Sequence, residues 1–188
     1  MKKQFVTAEW IKLFFVIGAI ASLSVTDAAP KPPSDQGDRV VTGGDLAFMN
    51  DAAPGGRAEI ELGRLATERA STSAVREFAQ EMIKDHTKAG EQLEALAEQK
   101  KVKLPPGILP QAMQTKEKLT ALRGEDFDRE YVKAMVQVHE KDVVTFEAVA
   151  KNATDADVKA FAALTAPTLR HHLEMIRTIA ERMNLQAK

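Results

Sequence analysis

The 188-residue sequence contains no cysteine. Disulfides, thiolate metal centres and cysteine nucleophiles are therefore excluded together. Aromatic residues are scarce, with one Trp and one Tyr, so the chain has no stacking platform for single-stranded nucleic acid. Neither sign of charge dominates: 26 Lys and Arg stand against 27 Asp and Glu, which removes the electrostatic case for a nucleic-acid partner. No glycine-rich phosphate loop and no G-x-S-x-G elbow occurs. What the chain does have is 44% hydrophobic residues, enough for a packed core.

The apolar run Leu13 to Leu23 follows Lys2, Lys3 and Lys12. It falls short of the roughly 20 residues that a transmembrane helix needs, and suits the apolar region of a secretory signal peptide. The small residues after it predict cleavage following Ala28, with Ser24 as the alternative point; an uncleaved membrane anchor is the competing reading. Residues 29–44, which hold Pro, Gly, Asp and Ser and little to bury, read as a flexible linker. Residues 45–188 remain as one helical domain. These features predict an exported protein of the periplasm or cell envelope, without a transmembrane segment once the signal is removed and with at most a peripheral association with the envelope. The sequence bears no mark of an oligomeric state.

From Asp45 onward the apolar spacing fits a helical period throughout. The first long helix is expected in two pieces. Asp45 would cap the stretch LAFMNDAA, Pro54-Gly55-Gly56 would interrupt, and a second piece would run from about Arg57 to Ala70 with the stripe Glu59, Leu62, Gly63, Ala66, Ala70. The second helix, about Ser73 to Lys100, carries Val75, Phe78, Ala79, Met82, His86, Leu93 and Leu96 on one face. A short helix near 111–122 occupies the connection that follows. The third long helix, about Asp126 to Lys151, aligns Val132, Met135, His139, Val143 and Phe146. The fourth starts at Thr154, with Asp157 completing a variant capping box, and aligns Val158, Phe161, Thr165, Leu169, His172, Ile176 and Ile179. Its Pro167 should bend the helix without breaking it, because the stripe continues in phase beyond it. Two antiparallel hairpins joined by a long crossover carrying a short helix is the ferritin-like four-helix arrangement. A further likeness, between Phe78-x-x-x-Met82-x-x-x-His86 and Tyr131-x-x-x-Met135-x-x-x-His139, reads as shared helix patterning. Duplicated hairpins would instead relate the first long helix to the third, and the second to the fourth.

Three of the four histidines, His86, His139 and His172, sit in the middle of apolar stripes on three different helices. Glu59 stands at a matching depth on the fourth helix. The four side chains are expected in one central layer, with His171 turned outward. Imidazole and carboxylate donors would suit a divalent transition metal such as iron, zinc or copper, whose affinity would fall below about pH 6 as the imidazoles protonate. Asp85, Asp142, Tyr131, Met82 and Met135 would surround the layer. Two readings stay open: a metal site, or a structural hydrogen-bond network in which the same groups pair among themselves. No residue is assigned a catalytic role.

The residues Glu59-Ile-Glu-Leu-Gly63, Val75-Arg-Glu-Phe78-Ala79, Asp85-His86, Leu104-Pro105, Leu122-Arg-Gly124, Phe127-Asp128, Tyr131, His139, Phe161-Ala162, Pro167 and His172 occur in an order that resembles a bacterial exported family of unknown function, often labelled as outer-membrane proteins. The resemblance spans about residues 45 to 183. It implies export and a ferritin-like helical fold, and it implies no activity. Ferritin-like di-metal proteins place a Glu three residues before each ligand histidine; here Ile83 and Leu169 stand at those positions, and a di-iron centre is disfavoured. The expected function is a non-enzymatic binding or structural module of the cell envelope. The alternative is a metal-binding protein, for iron, copper or zinc, with oxidoreductase chemistry.

Overall fold

The computed structural model describes residues 41–185; the expected signal peptide and nearly all of the expected linker lie outside them. Five helices follow in order: α1 Gly43–Arg69, α2 Ser73–Gln99, α3 Pro110–Thr120, α4 Gly124–Asn152 and α5 Ala156–Arg182. Among the described residues there is no strand, only an isolated bridge between Ala70 and Gly124. Helix α1 lies along α2 and α4 along α5, while α2 also meets α5 and α1 meets α4. The short α3 rests on α1 and α4.

Three local expectations are corrected. The first long helix is not divided: α1 runs unbroken through Pro54, Gly55 and Gly56. Local propensity opposes this by several kcal/mol, about 3 for proline and about 1 for each glycine. Tertiary burial outweighs that cost, because the segment before the triplet places Phe48, Met49 and Ala53 in the core. The helix also begins two residues before Asp45, and Val41 is already buried, so the linker ends sooner than its composition suggests. Finally, α5 is capped by Asp155, whose carboxylate accepts from the amides of Asp157 (2.9 Å) and Val158 (3.1 Å); Thr154 lies one residue outside the cap. Helix α5 is continuous through Pro167.

Asp45 does not cap its own helix. Its carboxylate accepts from the Thr154 amide, the Thr154 hydroxyl and the Asp155 amide, at 2.9, 2.7 and 2.8 Å. It thereby fastens the α4–α5 connection to α1. Asp128 does the same in reverse, accepting from the Ser71 amide, the Ser71 hydroxyl and the Thr72 amide at 2.9, 2.8 and 2.9 Å, and fastens the α1–α2 connection to α4. One constant spacing along the chain relates Asp45 to Asp128, Ser71 to Thr154 and the caps Thr72 and Asp155. The same spacing relates Phe78 to Phe161. It also relates Lys101 to Asn184, the non-glycine residues with positive φ (56° and 54°) at the ends of α2 and α5. The closing bonds Val102 N–H to Ala97 C=O and Leu185 N–H to Ala180 C=O, both 2.8 Å, repeat as well. The two halves, α1–α2 and α4–α5, are thus repeats of one unit, and the likeness between the His86 and His139 segments is patterning alone.

The apolar interior is divided. One cluster gathers Leu62, Ala66, Phe78, Met82, Phe127, Tyr131, Met135 and Ile176; the other gathers Phe48, Met49, Ala53, Leu93, Leu96, Val158 and Phe161. On α1, α2 and α5 the polar stripe residue, Glu59, His86 or His172, falls between the two clusters, while on α4 Val143, one turn beyond His139, still packs against the first. Between α1 and α2 the approach is close at Gly63, where a Cβ would lie 3.0 Å from Ile83 Cγ1 and 3.2 Å from the Ala79 carbonyl. A carbonyl in a helix cannot swing aside. Gly63→Val should therefore lower stability by about 1–3 kcal/mol, the usual cost of overpacking, despite its better helix propensity. Urea unfolding at neutral pH checks this.

Candidate metal centre

The helical period brings one polar side chain from each long helix to the level between the two apolar clusters. Glu59, His86, His139 and His172 are all buried, His139 and His172 completely. Ring centroids are 5.9 Å apart for His86 and His139, 5.4 Å for His86 and His172, and 5.5 Å for His139 and His172. Phe78 closes one side, its ring edge-to-face with those of His139 and His172. His171 points away, its side chain 55% exposed and 3.3 Å from Glu81.

Each buried ring is held by one nitrogen. His86 Nδ1 lies 3.1 Å from Glu59 Oε2, His139 Nδ1 lies 2.9 Å from the Met135 carbonyl, and His172 Nε2 lies 3.1 Å from Asp85 Oδ2. The Met135 carbonyl and the Asp85 carboxylate are acceptors, so His139 Nδ1 and His172 Nε2 carry the hydrogen of a neutral ring and donate it, and His86 Nδ1 does so toward the ionised Glu59 carboxylate. The opposite nitrogens, His86 Nε2, His139 Nε2 and His172 Nδ1, are buried without any hydrogen-bond partner. They present lone pairs, and lone pairs cannot satisfy one another. One nitrogen of each ring, taken from the three histidines together, lies within 4.8 Å of the others.

Burial decides the protonation of this layer. His139 is pulled down to about 4, first by desolvation and then by His172, with the Met135 carbonyl acting in the opposite sense. His86 is lowered well below the ordinary imidazole value by burial, then by His139 and His172. His172 is lowered by burial, although Asp85 counteracts it. The carboxyl of Glu59 is raised well above its usual range by burial and then by the charge of Asp142. Asp142 is itself pushed up to about 6 by burial. Tyr131 is raised by burial and by Glu59, and its hydroxyl has no partner.

The surrounding residues divide. Asp85 and Glu59 stand behind His172 and His86 as acceptors. Met135 meets His139 through its carbonyl oxygen, and Met82 is fully buried in the apolar cluster beneath the layer. The second oxygen of Glu59 lies 3.6 Å from His139 Nε2, too far for a hydrogen bond. Sequence reasoning overlooked Phe78 as the closing face, although it stands two turns before His86 on the same stripe. It also overlooked a cavity of about 450 Å³ whose wall includes Glu59, His86 and Asp142.

Fold and layer together define a class: an all-α protein whose core is split by a buried level of three imidazoles. The chain belongs to the DUF4142 family, a domain of unknown function, which matches residues 30–179. No curated protein matches it. Among solved structures it is similar to a DUF305 fragment from Deinococcus radiodurans, with 16% identity over 77% of this chain and 99% of that one, TM-score 0.68. It is similar to a DUF305 protein of Streptomyces coelicolor described as secreted, with 13% identity over 77% and 94%, TM-score 0.66. It is also similar to CopM in its Cu(II)-bound form, with 15% identity over 74% and 97%, TM-score 0.64; CopM is known in Cu(I)-bound and Ag-bound forms too. At these identities the likeness is one of fold. Among the described residues no helix is long and apolar enough to cross a membrane.

Proposed function

We propose that this is an exported binding protein of the cell envelope. In this reading the four long helices form a ferritin-like bundle, two antiparallel hairpins with α3 on the crossover. The bundle binds one transition-metal ion, copper foremost, through His86 Nε2, His139 Nε2 and His172 Nδ1. The observation that carries the proposal is the set of three buried imidazole nitrogens without partners. A structural network would have paired them, since an unsatisfied buried polar atom costs on the order of 1–3 kcal/mol. The other nitrogen of each ring already has the carboxylate or carbonyl partner that orients metal-bound histidines. Imidazole donors suit copper, zinc, iron and nickel, and the copper- and silver-bound forms of CopM make copper the first metal to test. The role is binding, with no residue assigned to catalysis.

Titration of the metal-free protein with copper(I) against a chromogenic chelator should give one ion per chain. Binding should persist below the ordinary imidazole value and be lost once His139 protonates, near pH 4. The sign follows from burial: the folded imidazoles are lowered, His139 to about 4, so they stay neutral, as ligands must be, below the ordinary imidazole value. This moves the expected loss of affinity down from about pH 6. A stoichiometry near zero, or a loss of binding already complete at pH 6, contradicts the proposal.

A further inference from the structure

The buried layer poses a problem of access. Apolar clusters lie on both sides of it along the helices, Phe78 closes one flank, and two of its three imidazoles are wholly buried. Of the three rings only His86 reaches the cavity. The same wall carries Glu59 and Asp142, beside the bare backbone of Gly55 and Gly56.

We propose that this cavity is the passage to the imidazoles, and that Glu59 and Asp142 on its wall form a transit site that accepts the cation before it reaches His86. The inference rests on the metal-binding reading above and adds to it a route and a second place of binding. Three observations converge. Glu59 is buried to 4% exposure, belongs to the cavity wall, and has an oxygen, Oε1, with no hydrogen-bond partner. Its other oxygen touches His86 Nδ1 at 3.1 Å, so a cation on Glu59 is beside the ring that opens to the cavity. Asp142 sits one helical turn beyond His139 on α4 and holds in the second half of the repeat the place that Glu59 holds in the first. The repeat thus directs one carboxyl from each half to the wall of the same cavity.

The Pro54-Gly55-Gly56 triplet fits the same account. Larger residues would serve α1 better as a helix, yet a Cβ on Gly55 would meet nothing within 4 Å, and one on Gly56 would stand 3.8 Å from His86 Nδ1. Glycine there leaves the passage wide at its inner end.

Stopped-flow mixing of the full chain with copper(I), and of the loaded chain with excess chelator, tests the proposal in two variants. Asp142→Asn removes the charge and keeps the shape. Gly55→Leu narrows the cavity from a position that has room for a side chain. Each should slow both loading and unloading by tenfold or more, leaving Kd within about threefold of wild type because the two rates fall together. Loading of both variants at the wild-type rate would overturn the passage. A weakened Kd for Asp142→Asn through faster unloading would also overturn the proposal, by making Asp142 a ligand of the final site. If the wild type takes up no copper at all, it is the metal-binding reading that has failed, and equilibrium titration of the wild type distinguishes that outcome.

Discussion

Lys100→Ala should lower the unfolding free energy by about 3–5 kcal/mol, the cost of removing one partner from a buried ion pair. The Lys100 side chain is 1% exposed, and its ammonium stands 2.8 Å from Asp155 and 2.7 Å from Asp157. It joins the end of α2 to the start of α5, at the junction that Asp45 fastens from the other side. Its removal would leave two carboxylates facing each other at a helix start. Burial acts to raise the Asp155 carboxyl, but Lys100 and the amides of Val158 and Asp157 outweigh it, so the net shift is downward. A depressed carboxyl stabilises the fold above its unfolded value, about 3.8, and that contribution is lost as pH falls through the folded value. The deficit of the variant should therefore be full at pH 7 and narrow below about pH 4. Denaturant unfolding of both proteins at pH 7 and pH 3.5 measures it, and a loss under 1 kcal/mol at pH 7 would show the clamp to be ornamental.

His139→Leu should act in the opposite direction on the metal-free protein, raising its stability by about 1–3 kcal/mol. The leucine would remove a buried nitrogen that has no partner, and the relief is that of an unsatisfied polar atom. The Met135 carbonyl would lose a side-chain contact but keeps its place in the helix ladder of α4. The same substitution should abolish stabilisation by copper, since two imidazoles would remain of three. This crossing of effects separates the readings. A structural network loses stability when a member is deleted, whether metal is present or absent. A site kept for a ligand gains stability when it is dismantled, as expected where function costs stability. Thermal melts of wild type and variant, each with chelator and with one equivalent of copper(I), give all four values. Equal destabilisation of the variant in both conditions would favour the network.

Much of this was legible in the sequence because it depends on period. The stripes of α2 and α5 are buried nearly as drawn, and the three stripe histidines are buried while His171 is exposed. Gly63 was readable as a close approach, because a small residue within a buried stripe has few other uses. What was not legible depends on pairing across the chain. Pro54-Gly55-Gly56 is the strongest local break in the sequence, and it breaks nothing, since the core contacts of Phe48 and Met49 carry α1 across it. Asp45 looked like the cap of its own helix, because nothing local says that its carboxylate will meet Thr154 and Asp155. Nothing local to Lys100 marks it as the partner of Asp155 and Asp157. The repeat of the two halves escaped notice because it survives in capping and turn geometry more than in residue identity: Ser71 corresponds to Thr154, Thr72 to Asp155, and Lys101 to Asn184. In the layer itself, periodicity brought the imidazoles to one level but could not say which nitrogen of each ring would be spoken for.

Imidazole ¹⁵N spectra of the chain with and without one equivalent of copper(I) read the buried layer atom by atom. Without metal, His86 Nδ1, His139 Nδ1 and His172 Nε2 should carry the hydrogens, and their opposite nitrogens should resonate as bare lone pairs at neutral pH. With metal, His86 Nε2, His139 Nε2 and His172 Nδ1 should shift together as ligands, while the three protonated nitrogens keep their hydrogens and His171 stays unchanged. Unmoved resonances on the three buried rings, or shifts confined to His171, would contradict the assignment of the buried layer as a metal site.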